Sequence, residues 1–376
     1  MATFRTDEDA MRYAIDLARR GIGAVEPNPA VGAVVVGSDG ELLGEGFHER
    51  FGGAHAEVNA LAAAGDRSRG ATLYVTLEPC SHFGKTPPCA PLVVRSGVTR
   101  VVVATGDPAP HVAGKGLAIL REAGLQVSVG TCEGEARRLI APFVTLVTQH
   151  RPYVHGKWAM TLDGRIATRT GHSRWISGEG SRRAVHELRG RMDAILVGRG
   201  TVIADDPLLT ARPAGPRTSL RVVLDSTLAT PIDCQLVKTA REIPVLIATT
   251  SRAPRDRIAA LQNRGVEVQL FDTPETGPAG RVSLPSLMTE LARRQITNLL
   301  VEGGEQTLGA FRDADLLDEL HIFIAPKIVG SGGLSPVGGA GLERIPTDAE
   351  FDLVETRPID SDLYWRGVRR PGSIPG

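Results

Sequence analysis

Two rhythms of apolar and polar positions alternate along this chain. Short, nearly unbroken apolar runs at VGAVVV (31–36), TLYVTL (72–77), VVVAT (101–105) and QVSVG (126–130) read as strands. Between them, apolar residues recur every three or four positions. Met11, Ala14, Ile15 and Ala18 fall on one helical face, Thr6 and Asp9 supply a capping pair before it, and Gly21 is placed to stop it. GAHAEVNALAAAG (53–65) predicts a helix with His55 and Glu57 in its first turn, and GKGLAILREAG (114–124) predicts another. A further helix is expected around 133–148. Strands alternating with helices predict a sheet covered by helices.

After Arg151-Pro152 the alternation starts again. PYVHGKWAM (152–160), DAILVG (193–198), RVVLD (221–225), PVLIAT (244–249) and NLLVEGG (298–304) read as strands, with helical stretches such as SRRAVHELRG (181–190) between them. This predicts two α/β domains, 1–148 and 151–370, with the boundary near 148–151. Stretches 211–217 and 272–280 read as surface loops, and the tail 369–376 as disordered.

Composition narrows the possibilities. A chain of 376 residues, 42% hydrophobic and 23% charged, is long enough for two buried cores. Its 43 basic and 43 acidic side chains cancel, which argues against a broad basic surface for nucleic acid. No run approaches the ~20 apolar residues of a membrane span, and the N-terminus lacks an apolar signal core. A cytoplasmic location is expected, so the four cysteines read as metal ligands or packed side chains. Cys132 and Cys234 are expected to be small buried side chains.

The chemistry concentrates at His55-Ala56-Glu57, Pro79-Cys80 and Cys89. One imidazole and two thiolates leave a fourth tetrahedral position open, as a catalytic zinc requires. Glu57, two residues from His55, is placed to shuttle a proton. Helix starts at His55 and Cys80 are expected to favour anionic ligands there. Zinc nucleobase deaminases carry H-x-E with P-C-x-x-C. Here eight residues separate Cys80 from Cys89, so the generic spacing fails at one point.

That departure has a counterpart. TLEPCSHFGKTPPCA (76–90), PNPAVGAVVV (27–36), GAHAEVNAL (53–61) and AGKGLAIL (113–120) resemble the riboflavin-biosynthesis deaminase family, whose second cysteine is displaced by such an insert. The resemblance implies a cytidine-deaminase-like three-layer domain that binds one zinc ion and deaminates 2,5-diamino-6-(5-phosphoribosylamino)pyrimidin-4-one by hydrolysis. Asn28 matches a base-contacting position. His82, Lys85 and Thr86, inside the insert, read equally as contacts to the substrate's phosphoribosyl arm or as loop-ordering residues. Ala109 stands where the family usually has Asn.

In the second half no GxGxxG follows a strand, which disfavours a Rossmann domain. KWAMTLDGRIA (157–167), GHSRWI (171–176), HELRGRMDAILVGRGTVIADDPLLTAR (186–212), LVEGGEQTLGAF (300–311) and IAPKIVG (324–330) resemble the reductase domain of the same family, with a dihydrofolate-reductase-like fold. Thr161 replaces the usual Ser and keeps the hydroxyl. The resemblance implies NADPH as cofactor, with Ala159, Trp175, Thr201, Asp205, Ser226 and the run Gly304, Glu305, Gln306, Thr307, Leu308, Gly309 and Ala310 as its contacts. Substrate contacts are implied at Ser173, Arg189, Leu209, Arg212 and Glu302, and Lys157 is placed to orient or protonate the opened sugar. Glycines after a strand and before a helix let backbone N–H groups approach a pyrophosphate. Two arginines suit a phosphate.

The expected partner is thus a small phosphorylated pyrimidine, with no nucleic acid or membrane, and the resemblance implies a homodimer or homotetramer. A nucleic-acid-editing deaminase shares H-x-E and the cysteines but predicts a basic groove and gives no reason for a second domain. A metal-stabilised scaffold with one or both sites inactive is a third reading: Glu57 argues against it in the first domain, and in the second, where no single residue carries the chemistry, it stays open.

Overall fold

The protein is described here from a computed structural model that covers residues 2–109, 112–273 and 280–370. Residues 274–279 of the loop expected at 272–280, and 371–376 of the expected disordered tail, lie outside the described residues. The chain divides into two compact units, Met1–Arg151 and Pro152–Gly376.

The first unit opens with α1 (Asp7–Arg19), which Thr6 caps by accepting the Asp9 N–H at 3.1 Å. Strands β1 (Gly32–Val36) and β2 (Leu42–Phe47) form an antiparallel pair, followed by α2 (Ala56–Ala64). Then come β3 (Thr72–Val75), α3 (Cys89–Arg95), β4 (Arg100–Val103), α4 (Lys115–Glu122) and β5 (Gln126–Val129). The sheet order is β2-β1-β3-β4-β5, and β3, β4 and β5 run parallel. Alternate residues of β1 serve opposite faces, which is why the run VGAVVV lacks polar positions. Val34 and Val36 pack with Met11 and Ile15 of α1. Ala33 and Val35 pack with Ala56 and Ala60 of α2 and with Val93 and Leu120 from α3 and α4. The result is a three-layer α/β/α sandwich.

The helix expected at 133–148 is two, α5 (Glu133–Leu139) and α6 (Ala141–Gln149). The break falls just before Pro142, which sits in the first turn of the second helix, where its missing N–H costs nothing. Cys132 is only half-buried, at the start of α5, whereas Cys234 is buried.

The second unit is built on one sheet. Its elements are β6 (Tyr153–Thr161), α7 (Glu179–Arg189), β7 (Ala194–Gly198), α8 (Arg199–Asp205), β8 (Leu220–Leu224), α9 (Gln235–Lys238), β9 (Val245–Thr249), α10 (Arg255–Gln262), β10 (Glu267–Leu270), α11 (Leu284–Arg293), β11 (Asn298–Val301), α12 (Glu305–Asp313), β12 (Glu319–Ala325), β13 (Phe351–Ile359) and β14 (Asp362–Arg369). The order is β10-β9-β8-β7-β11-β6-β12-β14-β13. All neighbours through β12 pair in parallel, and the β13–β14 hairpin completes one edge antiparallel. Two apolar cores lie against the sheet. One joins Leu196, Leu299 and Val301 to Leu287, Leu291 and Phe311, and the other joins Ile195, Val223 and Ile247 to Val202, Leu236 and Leu261. The parallel strands deliver their following loops to one end of the sheet, where such folds place ligands.

Candidate active sites

The end of β3 builds the first site. Its Glu78 side chain is buried, and its carboxylate accepts four backbone N–H groups: Asp107 (3.2 Å) and Gly114 (3.0 Å) at Oε2, Gly116 (2.9 Å) and Leu117 (3.2 Å) at Oε1. This carboxylate fixes the loop after β4 and the start of α4 against the next residues, Pro79 and Cys80. The backbones approach so closely that a Cβ at Gly116 would lie 1.9 Å from the Pro79 carbonyl oxygen.

His55 caps α2 in extended conformation and does not belong to its first turn. Its carbonyl accepts the Asn59 N–H at 3.2 Å. His55 Nδ1 lies 3.6 Å from Cys80 Sγ and 3.3 Å from Cys89 Sγ. Zinc bonds of about 2.0–2.1 Å to nitrogen and about 2.3 Å to sulfur, at tetrahedral angles, put the two donor atoms about 3.6 Å apart. The three side chains therefore fit a zinc ion. The other imidazole nitrogen, Nε2, lies 3.2 Å from Thr86 Oγ1, an outer partner of the kind that fixes a metal-bound histidine.

Cys80 does not begin a helix, contrary to expectation. The insert carries the helix start on to Cys89, and the Cys89 N–H donates to Cys80 Sγ at 3.3 Å, so the sulfur still meets a helix N-terminus. The Cys80 thiol is pulled down to about 4, first by its hydrogen bond with Cys89 and then by His55, while Cys89 is pushed up by Cys80. Burial raises the Glu57 carboxyl to about 7, opposed by its own backbone N–H and by His55.

A pocket of about 210 Å³ is lined by Asn28, His48, His55, Glu57, Cys80 and Thr86, among others. His48 gave no sequence signal. Its Nδ1 contacts the Ala54 carbonyl at 2.9 Å, which places the ring proton there and leaves Nε2 to accept from Asn28 Nδ2 at 3.1 Å. Burial lowers the His48 pKa and keeps the ring neutral. The Asn28 amide is thereby fixed in one orientation. His82 also lines this pocket, and Lys85 lies 3.7 Å above the Phe51 ring. Ala109 is buried in the loop beyond β4, where its N–H donates to Asp107 Oδ1 at 2.8 Å.

The second site is a cleft of about 1980 Å³ at the carboxyl ends of the parallel strands. At its centre Glu302, just past β11, takes both Nε and Nη2 of Arg189 and lies 3.7 Å from Lys157 Nζ. All three side chains are largely buried. Burial alone would raise the Glu302 carboxyl, but Arg189 and then Lys157 bring it down to about 2. Burial lowers Lys157, against the opposing pull of Glu302. Arg189 Nη1 also donates to the Thr210 carbonyl at 3.3 Å. Its nitrogens are thus occupied within the protein, whereas Arg212 is exposed and lines the cleft.

Ala159, Ser173, Trp175, Thr201, Asp205, Leu209 and Ser226 line the same cleft, as do Gly304–Leu308 and Ala310. Gly309 is not among its lining residues; a Cβ there would meet Gly338 and Gly339 backbone at 2.4 Å. Thr201 Oγ1 donates to the Gly303 carbonyl at 3.0 Å and joins α8 to the turn before α12. Gly200 has open space where a Cβ would stand, and at Gly304 only Thr201 Oγ1 comes near, at 3.7 Å. Such a backbone cradle at a helix start fits a dinucleotide pyrophosphate. Trp175 is 64% exposed, with the Arg182 guanidinium 4.6 Å over its ring.

The second unit also holds a buried polar cluster that the apolar pattern of β6 concealed. His155 Nδ1 lies 3.2 Å from His321 Nε2, and its Nε2 lies 3.1 Å from Asn298 Oδ1. His321 is 3.1 Å from Glu319 and 2.7 Å from the Tyr364 hydroxyl, and Arg366 donates to Glu319 at 2.5 Å.

A three-layer domain holding a His-Cys-Cys set beside a buried glutamate is a zinc-dependent deaminase, and the sheet that follows it is a dinucleotide-dependent reductase of dihydrofolate-reductase-like architecture. Residues 4–105 match the cytidine and deoxycytidylate deaminase zinc-binding region, and residues 152–365 match the RibD C-terminal domain. The chain is 43% identical to the riboflavin biosynthesis protein RibD of Aquifex aeolicus, over 95% of this chain and 97% of that protein. It is 39% identical to RibD of Escherichia coli K12, over 95% and 98%. Acinetobacter baumannii RibD superposes with a TM-score of 0.83 at 36% identity, over 97% of this chain and 99% of that one. The Thermotoga maritima diaminohydroxyphosphoribosylaminopyrimidine deaminase/5-amino-6-(5-phosphoribosylamino)uracil reductase superposes at 0.82 with 38% identity, over 96% and 98%. The chain belongs to the RibD family, the bifunctional zinc-dependent deaminases and NADPH-dependent reductases of riboflavin biosynthesis.

Proposed function

We propose that the first unit deaminates 2,5-diamino-6-(5-phosphoribosylamino)pyrimidin-4-one and the second reduces the product's ribosyl chain, giving 5-amino-6-(5-phosphoribitylamino)uracil. The observation that carries the reading is the convergence of His55 Nδ1 and two cysteine sulfurs beside the buried Glu57. A zinc ion in that set supplies Lewis acidity, which activates water at neutral pH. Asn28, its NH₂ engaged by His48, turns its carbonyl oxygen to the pyrimidine's amino edge. Glu57 takes a proton from the attacking water and returns it to the departing amine, so that ammonia leaves and a ring carbonyl remains.

In the second unit, NADPH supplies the hydride. Gly304–Gln306 and Thr201 would hold its pyrophosphate, and Trp175, Asp205, Ser226 and Ala159 would contact the rest of the cofactor. Arg189 sets the Glu302 carboxylate to receive sugar hydroxyls, Ser173 and Leu209 flank the sugar, and Arg212 faces its phosphate. Lys157, its pKa lowered by burial, gives a proton to the opening sugar oxygen more readily than an ordinary lysine.

Glu57→Gln should keep one zinc per chain and lose at least ~100-fold in ammonia release, the range general acid–base catalysis supplies. Reduction of separately supplied deaminated intermediate should continue. Full deamination by the variant would refute the role given to Glu57. The reading includes a cytoplasmic location, which suits four free cysteines, and a homodimer or homotetramer, which light scattering would test.

A further inference from the structure

The stretch IAPKIVG (324–330) holds none of the site residues named above, although it is part of the family resemblance. It leaves the sheet at the end of β12, where Ala325 pairs with Thr161 of β6. The turn after β6 then grips it. The Leu162 N–H donates to the Lys327 carbonyl at 2.9 Å, and the Asp163 carboxylate accepts from the Val329 N–H at 3.2 Å and the Gly330 N–H at 2.7 Å. The Thr161 hydroxyl donates to the same carboxylate at 2.5 Å. The Lys327 side chain therefore starts from a fixed stretch of backbone.

That side chain meets a segment without regular structure. Between the bridge at Ala167 and α7, residues 168–178 form neither helix nor strand, yet they bring Ser173 and Trp175 to the cleft. Lys327 Nζ donates to the Trp175 carbonyl at 2.6 Å and to the Ile176 carbonyl at 2.8 Å. Among the described residues the ammonium forms no ion pair, so its charge is directed at these two carbonyls. Arg174 Nη2 donates to the Asp205 carbonyl at 2.8 Å, Arg182 Nη1 to the Ser177 carbonyl at 2.8 Å, and the Gly178 N–H to Asp362 Oδ2 at 2.7 Å. Charged side chains thus supply the ties that a strand or helix makes through its own backbone. The Trp175 ring is 64% exposed, so its place follows from where its backbone is held.

We propose that Lys327 is a positioning residue of the reductase site, holding through two backbone carbonyls the segment that presents Ser173 to the substrate and Trp175 to the cofactor; this rests on the reductase reading of the second unit. Lys327 is not among the residues that line the cleft, so it acts through the segment and not by contact. Without its two ties the segment exchanges among conformations, of which only a fraction accept ligands. Apparent affinity falls by that fraction. The assembled complex keeps its geometry, so binding weakens while the chemical step does not.

Lys327→Met keeps the aliphatic stem and removes the donors. For two hydrogen bonds from a charged but exposed group, KM for NADPH and for the deaminated intermediate should each rise about 10-fold, with kcat within about 2-fold. Lys327→Arg, which brings donors back, should recover most of the loss. Time-resolved fluorescence anisotropy reads the segment directly. Trp158 and Trp365 pack against the core, so a new fast component in Lys327→Met belongs to Trp175. Unchanged KM with unchanged anisotropy would overturn the proposal, as would a fall in kcat at constant KM, the mark of direct contact with reacting atoms. A lowered unfolding midpoint with all three tryptophans loosened would make the role merely structural and overturn it too. A wild-type chain that does not oxidise NADPH with the intermediate would sink the reductase reading, and the anisotropy would still decide whether Lys327 holds the segment.

Discussion

Replacing Glu78 by Gln probes the junction that holds the metal loop. The carboxylate accepts two backbone N–H groups at each oxygen. An amide keeps one acceptor oxygen and turns an NH₂ toward the other two donors, so at least two hydrogen bonds to a charged group are lost in a buried place. At about 1.5–3 kcal/mol each, and allowing for relaxation, the loss is about 3–5 kcal/mol. For a unit of this size each kcal/mol shifts the unfolding midpoint by about 2–4 °C, so a drop of about 6–20 °C is expected. The probe has to be chosen with care. The three tryptophans, Trp158, Trp175 and Trp365, all belong to the second unit, so their fluorescence reports that unit and not the first. Hydrogen exchange followed by mass spectrometry reads the right place. The amides of Asp107, Gly114, Gly116 and Leu117 should lose protection in the variant, and zinc should dissociate at lower chelator concentration. A midpoint within 2 °C of wild type, with protection of those four amides unchanged, would refute the reasoning.

Two further perturbations address the second unit. Burial lowers His155 to about 4, so the fold binds its proton less tightly than the unfolded chain does near 6.5. The stability tied to the neutral ring is therefore complete above about pH 6.5 and erodes as pH falls toward 4. Between pH 7 and 5 the loss should be about 2 kcal/mol, with Glu319, His321 and Arg366 as the charged and titratable neighbours. His155→Asn should flatten this part of the urea-unfolding profile, read by tryptophan fluorescence; an unchanged acid slope would contradict the assignment. Glu302→Ala leaves Arg189 and Lys157 buried without their counter-charge and should cost about 3–5 kcal/mol in the same assay. A cost below about 1 kcal/mol would show that water reaches those cations.

What could be read in advance follows a physical division. The strands of both sheet centres were legible because burial on two faces demands unbroken apolar runs, as in Gly32–Val36 and Ala194–Gly198. The metal set was legible because few residue types bind zinc. The hairpin Phe351–Ile359 and Asp362–Arg369 was not: the first strand is largely exposed at the sheet edge, carries Pro358, and has no reason to be apolar. His48, Glu78 and Thr86 were missed or left open for another reason. Each acts through a partner distant in sequence, and no local period records such a pairing. The inward turn of Cys89 onto Cys80 likewise depends on where the insert lets the helix begin.

The close approach of Gly116 to the Pro79 carbonyl, which leaves no room for a Cβ, has a consequence for the chain's history. A lock and its key are cut from stretches 36 to 38 residues apart, so neither can change its shape alone. Any methyl added on the helix side would push back the peptide that carries a sulfur ligand. Tolerance to substitution in this half is therefore set less by distance from the ion than by which backbone atoms already touch.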